Sequence, residues 1–474
     1  MVELRSPGGR RLIISLIVAC ALFMQALDST IIATALPTIA HSMGETALRL
    51  NVAITCYLLS LAVFIPISGW TADRFGARRV FTGAVIVFTL GSVGCGLSQS
   101  LWMLVVARIV QGMGGAMTVP VGRLILLRTV PKSELVQAMS WVSVPALTGP
   151  VIGPPLGGFI VTYFSWRWIF FINIPIGLLG IALINLFVEN LRETTVRRFD
   201  LLGFALTGIG LASLAFGFEA GGRGALAWPM TAGLLAAGVA FLVLYVRHAR
   251  RVDDPIIALA LMRIPTYAMA TIGGFLFRMG LGALPFLMPL MLQVGFGLSP
   301  LHSGLITFAS ALGAMSNKTV VAPIIRSLGF RTVLIGNTVV SAAFLFGYSF
   351  FRPTTPHAVI FFALLAGGFF RSLQMTSLNT LSYADVPASM LSRATSFSSM
   401  VQQLSQSFGV GTGAVLLYLM LAVHGRAVSS AADFSFALAT VGAISMLSVP
   451  FFMRMSRDAG AEVSGRAASR ASAD

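Results

Sequence analysis

The run LIISLIVACALFMQALDSTIIATAL fills residues 12 to 36 and carries a single carboxylate, Asp28, well inside it. A helix needs about 20 mainly apolar residues to cross the hydrocarbon layer of a bilayer, and this run is long enough. Basic Arg10 and Arg11 precede it and Ala33-Thr34-Ala35 imitates a cleavage site, as in a secretory leader. The run is longer than the roughly 7 to 15 apolar residues of a leader, holds a charge, and leads directly into a second apolar block. It reads as a membrane span.

Working outward, hydropathy gives about fourteen such blocks, near 12–36, 50–70, 80–97, 101–127, 135–162, 168–188, 201–219, 229–247, 267–292, 301–323, 331–350, 357–378, 393–422 and 434–453. Of 474 residues 56% are hydrophobic and 10% charged, against about one quarter charged in a soluble domain. An all-α integral membrane fold follows. The net charge of +16 does not indicate nucleic acid, because the bases occur singly or in twos and threes in the connectors, as at Arg78-Arg79 and Arg250-Arg251. With both termini in the cytoplasm, roughly 22 of the 32 Lys and Arg fall on that side, which predicts the orientation. Cys20, Cys56 and Cys95 sit in separate blocks, with no disulfide or metal spacing.

The connector after the second block, Arg74-Phe75-Gly76-Ala77-Arg78-Arg79-Val80, resembles the one after the tenth, Ser327-Leu328-Gly329-Phe330-Arg331-Thr332-Val333. Either two short turns converged on glycine and arginine, or the chain contains two six-helix halves with cargo held at their interface. The second reading predicts a cytoplasmic N-terminus at 1–11, halves at 12–188 and 267–455, a linker with two inserted helices at 189–266, and a disordered cytoplasmic tail at 456–474.

An aspartate inside a span costs about 2.5 to 3.5 kcal/mol on insertion scales. At a rise of about 1.5 Å per residue, Asp28 and Arg108 of the fourth block lie at similar depths. Their approach makes either a structural ion pair or a proton carrier whose affinity follows the fate of its partner. Arg278 and Arg371 lie mid-span with no intramembrane carboxylate, either bonded to carbonyls or facing a watery cavity that would take an anion. Arg123 and Lys318 are nearer the cytoplasmic ends, where snorkelling accounts for them. Thr395, Ser399, Gln402 and Gln406 form a stripe at helical spacing, suited to the cavity or to helix-to-helix hydrogen bonds. Gln25 and Gln111 are further candidates for the cavity. Gly149-Pro150-Val151-Ile152-Gly153-Pro154-Pro155-Leu156-Gly157-Gly158 predicts a bent helix closely apposed to another.

From about Arg11 to Met455 these features resemble the major facilitator superfamily, and within it the fourteen-span drug-proton antiporters. Leu27-Asp28-Ser29-Thr30 with Ala35-Leu36-Pro37 is similar to the family's first-span motif, whose aspartate is implied in proton coupling. Gly69, Asp73, Arg74, Gly76 and Arg78 resemble the loop that latches the cytoplasmic gate, with Thr71 in place of the usual leucine and Ala77 in place of a base. Arg108, Gln111, Gly112, Gly114 and Gly115 resemble the fourth-span motif whose arginine is implicated in proton transfer. Gly149, Pro150, Gly153, Pro154, Gly157 and Gly158 look like the antiporter motif that marks exporters. Segments Gly114–Arg123 and Arg371–Leu381 are most similar to a branch of multidrug exporters.

The resemblance implies alternating access in a bacterial inner membrane, driven by a proton gradient without a cofactor. The implied partners are lipid, protons and a small-molecule substrate, with no obligatory protein partner. Lipophilic drugs are the cargo by family. An organic anion, such as a di- or tricarboxylate or its metal chelate, is the cargo by intramembrane charge. A membrane enzyme would need a nucleophile, metal cluster or acid–base pair near one surface, which the scattered histidines do not supply. A passive channel is disfavoured by the exporter motif.

Overall fold

The computed structural model describes residues 7–190, 198–222, 226–318, 320–425 and 430–464. Among these it is helical, with no strand. The first half holds α1 (Pro7–Ser42), α2 (Ala47–Phe64), α3 (Ser68–Phe75), α4 (Ala77–Leu97), α5 (Leu101–Thr129), α6 (Leu135–Tyr163), α7 (Trp168–Phe171) and α8 (Asn173–Phe187). The inserted pair is α9 (Leu201–Gly222) and α10 (Trp228–Ala249). The second half holds α11 (Pro265–Gly282), α12 (Leu284–Leu290), α13 (Pro300–Ser316), α14 (Val321–Leu328), α15 (Phe330–Ser349), α16 (His357–Leu381), α17 (Leu391–His424), α18 (Ala431–Met446) and α19 (Val449–Met453), followed by α20 (Ala461–Ser464).

Among the described residues, twelve helical stretches are long and apolar enough to cross a membrane, and the pair His302–Ser316 and Val321–Leu328, bent by 60°, makes a thirteenth. Helix α6 fills the fifth predicted block with 29 residues; some of its side chains, including those of Pro150 and Pro154, lie outside the described residues.

The two halves repeat one another. Helix α1 packs on α6 and α8, α2 on α5, and α4 on α5 and α8; correspondingly α11 packs on α17 and α18, α13 on α16, and α15 on α16 and α18. The resemblance between the two connectors extends to atomic detail. Gly76 and Gly329 follow eight-residue helices at φ of +90° and +79°, a backbone region that favours glycine. Each donates its N–H to the carbonyl four residues back, Gly76 to Ala72 at 2.9 Å and Gly329 to Ile325 at 2.8 Å. Two residues on, Arg78 donates to the Val188 carbonyl after α8, and Arg331 to the Met453 carbonyl at the end of α19. A shared local sequence thus ties the start of the third span of each half to the end of its last.

The inserted α9 lies across α2 and α17, with Phe204 against Phe64 and Phe218 against Phe408. Buried Asp200 accepts the Gly203 N–H at the first turn of α9 and pairs with His248 of α10 at 2.7 Å. The tail expected to be disordered from 456 is instead folded as far as Ser464. Met455, Ala459 and Val463 are buried, α20 packs on α6 and α14, and Glu462 pairs with Lys132 at 2.8 Å. Apolar residues at intervals of four supply a buried face that an Ala- and Ser-rich composition conceals. Residues 465–474 lie outside the described residues.

Candidate functional site

Asp28 is buried at 1% exposure at the meeting point of α1, α2, α4, α5 and α8. Helix α5 presents Arg108 and Gln111 from one face, three residues apart. Arg108 Nη1 lies 2.6 Å from Asp28 Oδ2, while Gln111 Nε2 donates to Asp28 Oδ1 at 2.8 Å. Arg108 Nη1 also donates to Gln111 Oε1 at 2.7 Å. From the first turn of α8, Asn173 Nδ2 donates to Asp28 Oδ1 at 3.2 Å and to Ser92 Oγ of α4 at 2.9 Å. The Arg108 guanidinium rests 4.1 Å from the centre of the Tyr57 ring on α2. Three donors, one of them a cation, thus replace the water this carboxylate would otherwise have. Removing one partner of a buried pair leaves an uncompensated charge, at about 3 to 5 kcal/mol.

The exporter-motif glycines hold α1 in place. Gly149, Gly153 and Gly157 recur every four residues on one face of α6, where a Cβ would meet Ala26, Thr30 and Thr34 of α1 in turn. Thr30 Oγ1 also reaches the Gly149 carbonyl at 3.5 Å. Asp28 sits between the first two of these contacts. Gly158 differs from the other three: it is exposed and a Cβ there would meet nothing within 4 Å.

The latch residues gather at the opposite end of the bundle from the start of α5. Asp73 Oδ1 lies 3.3 Å from Arg128 Nη2 on α5, and Asp73 Oδ2 accepts from Ser392 Oγ of α17 at 2.6 Å. The hydroxyls of Ser68 and Ser396 are 2.7 Å apart across the same junction. A Cβ on Gly69 would fall 2.7 Å from the Ser392 carbonyl, so glycine permits this approach of the halves. Arg74 covers Trp70 at 5.3 Å. A Cβ on Gly76 would collide with Asn190, whose Oδ1 accepts the Arg79 N–H at 3.3 Å. Lys318 donates across the halves to the Ser140 carbonyl and lies 5.2 Å from the Trp141 ring. The bundle is closed at this end.

The expected cavity residues separate into three groups. Gln111 belongs to the Asp28 network, and Gln25 lies beside it near Tyr57 and Gly115; both were expected to line the cavity, and the short reach of α5 to α1 draws them into the carboxylate cluster. Arg278 is buried, donates to Asn379 at 3.1 Å, and lies close enough to Arg123 to act on it electrostatically. Arg371 is half-buried near Tyr348, so Arg123 is the cation beside Arg278. Arg123 itself does not snorkel: it is 6% exposed and donates across the halves to Gln402 Oε1 at 2.7 Å. Gln402 therefore bridges the two halves.

Sequence reading also missed Asn173 and Tyr57. Asn173 carries a legible signal, one of two carboxamides, with Asn185, in the apolar stretch Trp168–Phe187. Tyr57 carries none, because an aromatic residue in a span is ordinary.

Residues 18–410 match the family model described as Major Facilitator Superfamily. The MdtD protein of Escherichia coli strain K12, named for multidrug resistance, is 42% identical over 417 residues, 86% of each chain. MdtD of Salmonella heidelberg strain SL476 is 42% identical over 410 residues, 85% of each chain. Among solved structures, the human organic anion transporter MFSD10 superposes with a TM-score of 0.69 at 15% identity, covering 93% of this chain and 99% of that one. The proton:xylose symporter XylE gives 0.67 at 14% identity, covering 97% and 99%. At such identities the superpositions speak for the fold alone. Both the family match and the relatives identify the chain as a multi-pass membrane transporter, a member of the major facilitator superfamily.

Proposed function

We propose that the chain is a proton-driven exporter of a bacterial inner membrane that works by alternating access, with both termini in the cytoplasm. The observation that carries this reading is the buried Asp28–Arg108 pair at 2.6 Å. An intramembrane carboxylate is by default functional, and a proton on Asp28 removes the charge that Arg108, Gln111 and Asn173 converge on. Loosening that cluster frees α1 from α5 and α8. Helix α6 carries the change onward, because it is locked to α1 through Gly149, Gly153 and Gly157 and packs on α13, α14 and α16 of the other half. The Asp73–Ser392 latch, on the cytoplasmic side by the charge bias, then opens. On the cytoplasmic side the proton is released and cargo binds, and cargo leaves outside once the latch has re-formed.

The MdtD relatives support drugs as cargo. A second reading, an organic anion such as a di- or tricarboxylate or its metal chelate, is favoured by Arg123, Arg278 and Arg371, none of which pairs with a carboxylate among the bonds described. Proteoliposomes with a trapped pH indicator decide between them. Proton movement on adding ethidium, indifferent to Arg278→Ala, supports the drug exporter. Movement on adding citrate, lost in Arg278→Ala and Arg371→Ala, supports the anion exporter. A protein that moves both cargoes only downhill, with no proton response, refutes the coupled mechanism.

A further inference from the structure

We propose that Asn173 is the positioning residue that satisfies Asp28 in both of its protonation states, as donor to the carboxylate and, after rotation of its carboxamide, as acceptor from the acid. The inference rests on Asp28 being the proton site. Asn173 is wholly buried, and it sits at the break between α7 and α8, where the backbone fixes its side chain over α1 and α4. Its Nδ2 spends its two hydrogens on Asp28 Oδ1 and Ser92 Oγ, while its Oδ1 has no hydrogen-bond partner. A buried acceptor without a donor is destabilising, by about 1 to 3 kcal/mol, and is retained where a second state uses it.

Among the side chains described as hydrogen-bonded to Asp28, only Asn173 keeps a free acceptor; Tyr57 Oη and Gln25 Oε1 also lack a partner, but neither is bonded to Asp28. The titratable or charged groups facing it are Arg108 from α5, Tyr57 from α2 and Cys95 from α4; α6 contributes glycines, and α7 (Trp168–Phe171) has none. Arginine has no acceptor. Gln111 Oε1 is already engaged by Arg108 and by Cys95 Sγ. When Asp28 takes a proton, the acceptor already in contact with it is Asn173. A half-turn of the carboxamide puts Oδ1 where Nδ2 was, within reach of both Asp28 and Ser92. The Ser92 hydroxyl, which now donates to the Phe170 carbonyl at 2.9 Å, turns to donate to the same oxygen. The Asp28–Asn173 and Asn173–Ser92 bonds reverse direction, the Ser92–Phe170 bond is given up, and no atom moves far.

The test does not depend on cargo: infrared difference spectra of the reconstituted protein, titrated with acid, follow the carbonyl stretch of the protonated carboxyl group. Asp28→Asn first identifies the band. Asn173→Leu keeps the volume and removes both hydrogen-bonding functions, so the Asp28 acid band is expected at higher wavenumber, as for an acid without an acceptor. Asn173→Gln, which can restore the acceptor, is expected to return it toward the unaltered position, and Asn173→Ala, which also lacks an acceptor, stands in should Asn173→Leu fail to fold. An Asp28 band unmoved in Asn173→Leu or Asn173→Ala overturns the role of Asn173 while leaving Asp28 as the proton site. A spectrum that loses no band in Asp28→Asn overturns the parent reading and this inference together.

Discussion

Replacing Gly149 by alanine should uncouple the proton site from the rest of the protein. The added Cβ would lie 2.7 Å from the Ala26 Cβ and 3.0 Å from the Leu27 nitrogen, where carbon atoms prefer about 3.5 to 4.0 Å. Both sides are close to the backbone and cannot rotate away, so α1 and α6 must separate by about 1 Å, at an overpacking penalty of about 1 to 3 kcal/mol. Asp28 follows Ala26 by two residues on α1. Its bonds to Arg108, Gln111 and Asn173 run from 2.6 to 3.2 Å, and a shift of about 1 Å carries them beyond hydrogen-bonding distance. Proton-coupled flux in proteoliposomes should fall by about tenfold or more, with the protein still folded and inserted. Gly158→Ala is the internal control, since that position is exposed and open; it should transport normally. Equal damage from both, or normal coupling in Gly149→Ala, would refute the claim that this face of α6 positions α1.

Three further outcomes follow. Ser392→Ala removes a hydrogen bond to an ionised group, worth about 1.5 to 3 kcal/mol, and should raise alkylation of a cysteine placed at the latch by about tenfold; unchanged labelling would contradict the latch. Lys132 holds the Glu462 carboxyl below the ordinary carboxylate range through a hydrogen bond and its charge. A depressed acid contributes stability above its unfolded value and loses it as pH falls through the folded one. Glu462→Gln should therefore lower the melting temperature slightly at neutral pH and progressively less as pH falls below the ordinary carboxylate range, and salt should diminish the difference because the pair is exposed. Val463→Asp buries a charge in an apolar site and should destabilise the protein far more than Glu462→Gln does, as read by the same melt.

The membrane class and the pairing of halves were legible because they rest on hydropathy and on local turn chemistry. Gly76 with Arg78, and Gly329 with Arg331, need only a few adjacent residues to specify the same bend. Asp28 and Arg108 were legible because charge is rare in lipid and their depths agree. The partition of the other polar residues was not. Whether Arg123 snorkels or crosses to Gln402, and whether Gln111 faces cargo or Asp28, depends on the rotation of each helix about its axis. That rotation is set by distant contacts such as Gly91 against Gln111 and Gly114 against Phe88. The tail was misread for a related reason, since its buried face exists only once α6, α14 and Phe330 are in place.

The most direct test of the account compares the reconstituted protein with its Asp28→Asn variant under an imposed pH gradient, recording proton movement and cargo movement in the same vesicles. The account predicts that the unaltered protein moves cargo uphill with proton counterflow, while Asp28→Asn retains downhill exchange and moves no protons. Full proton-coupled transport by Asp28→Asn would contradict it.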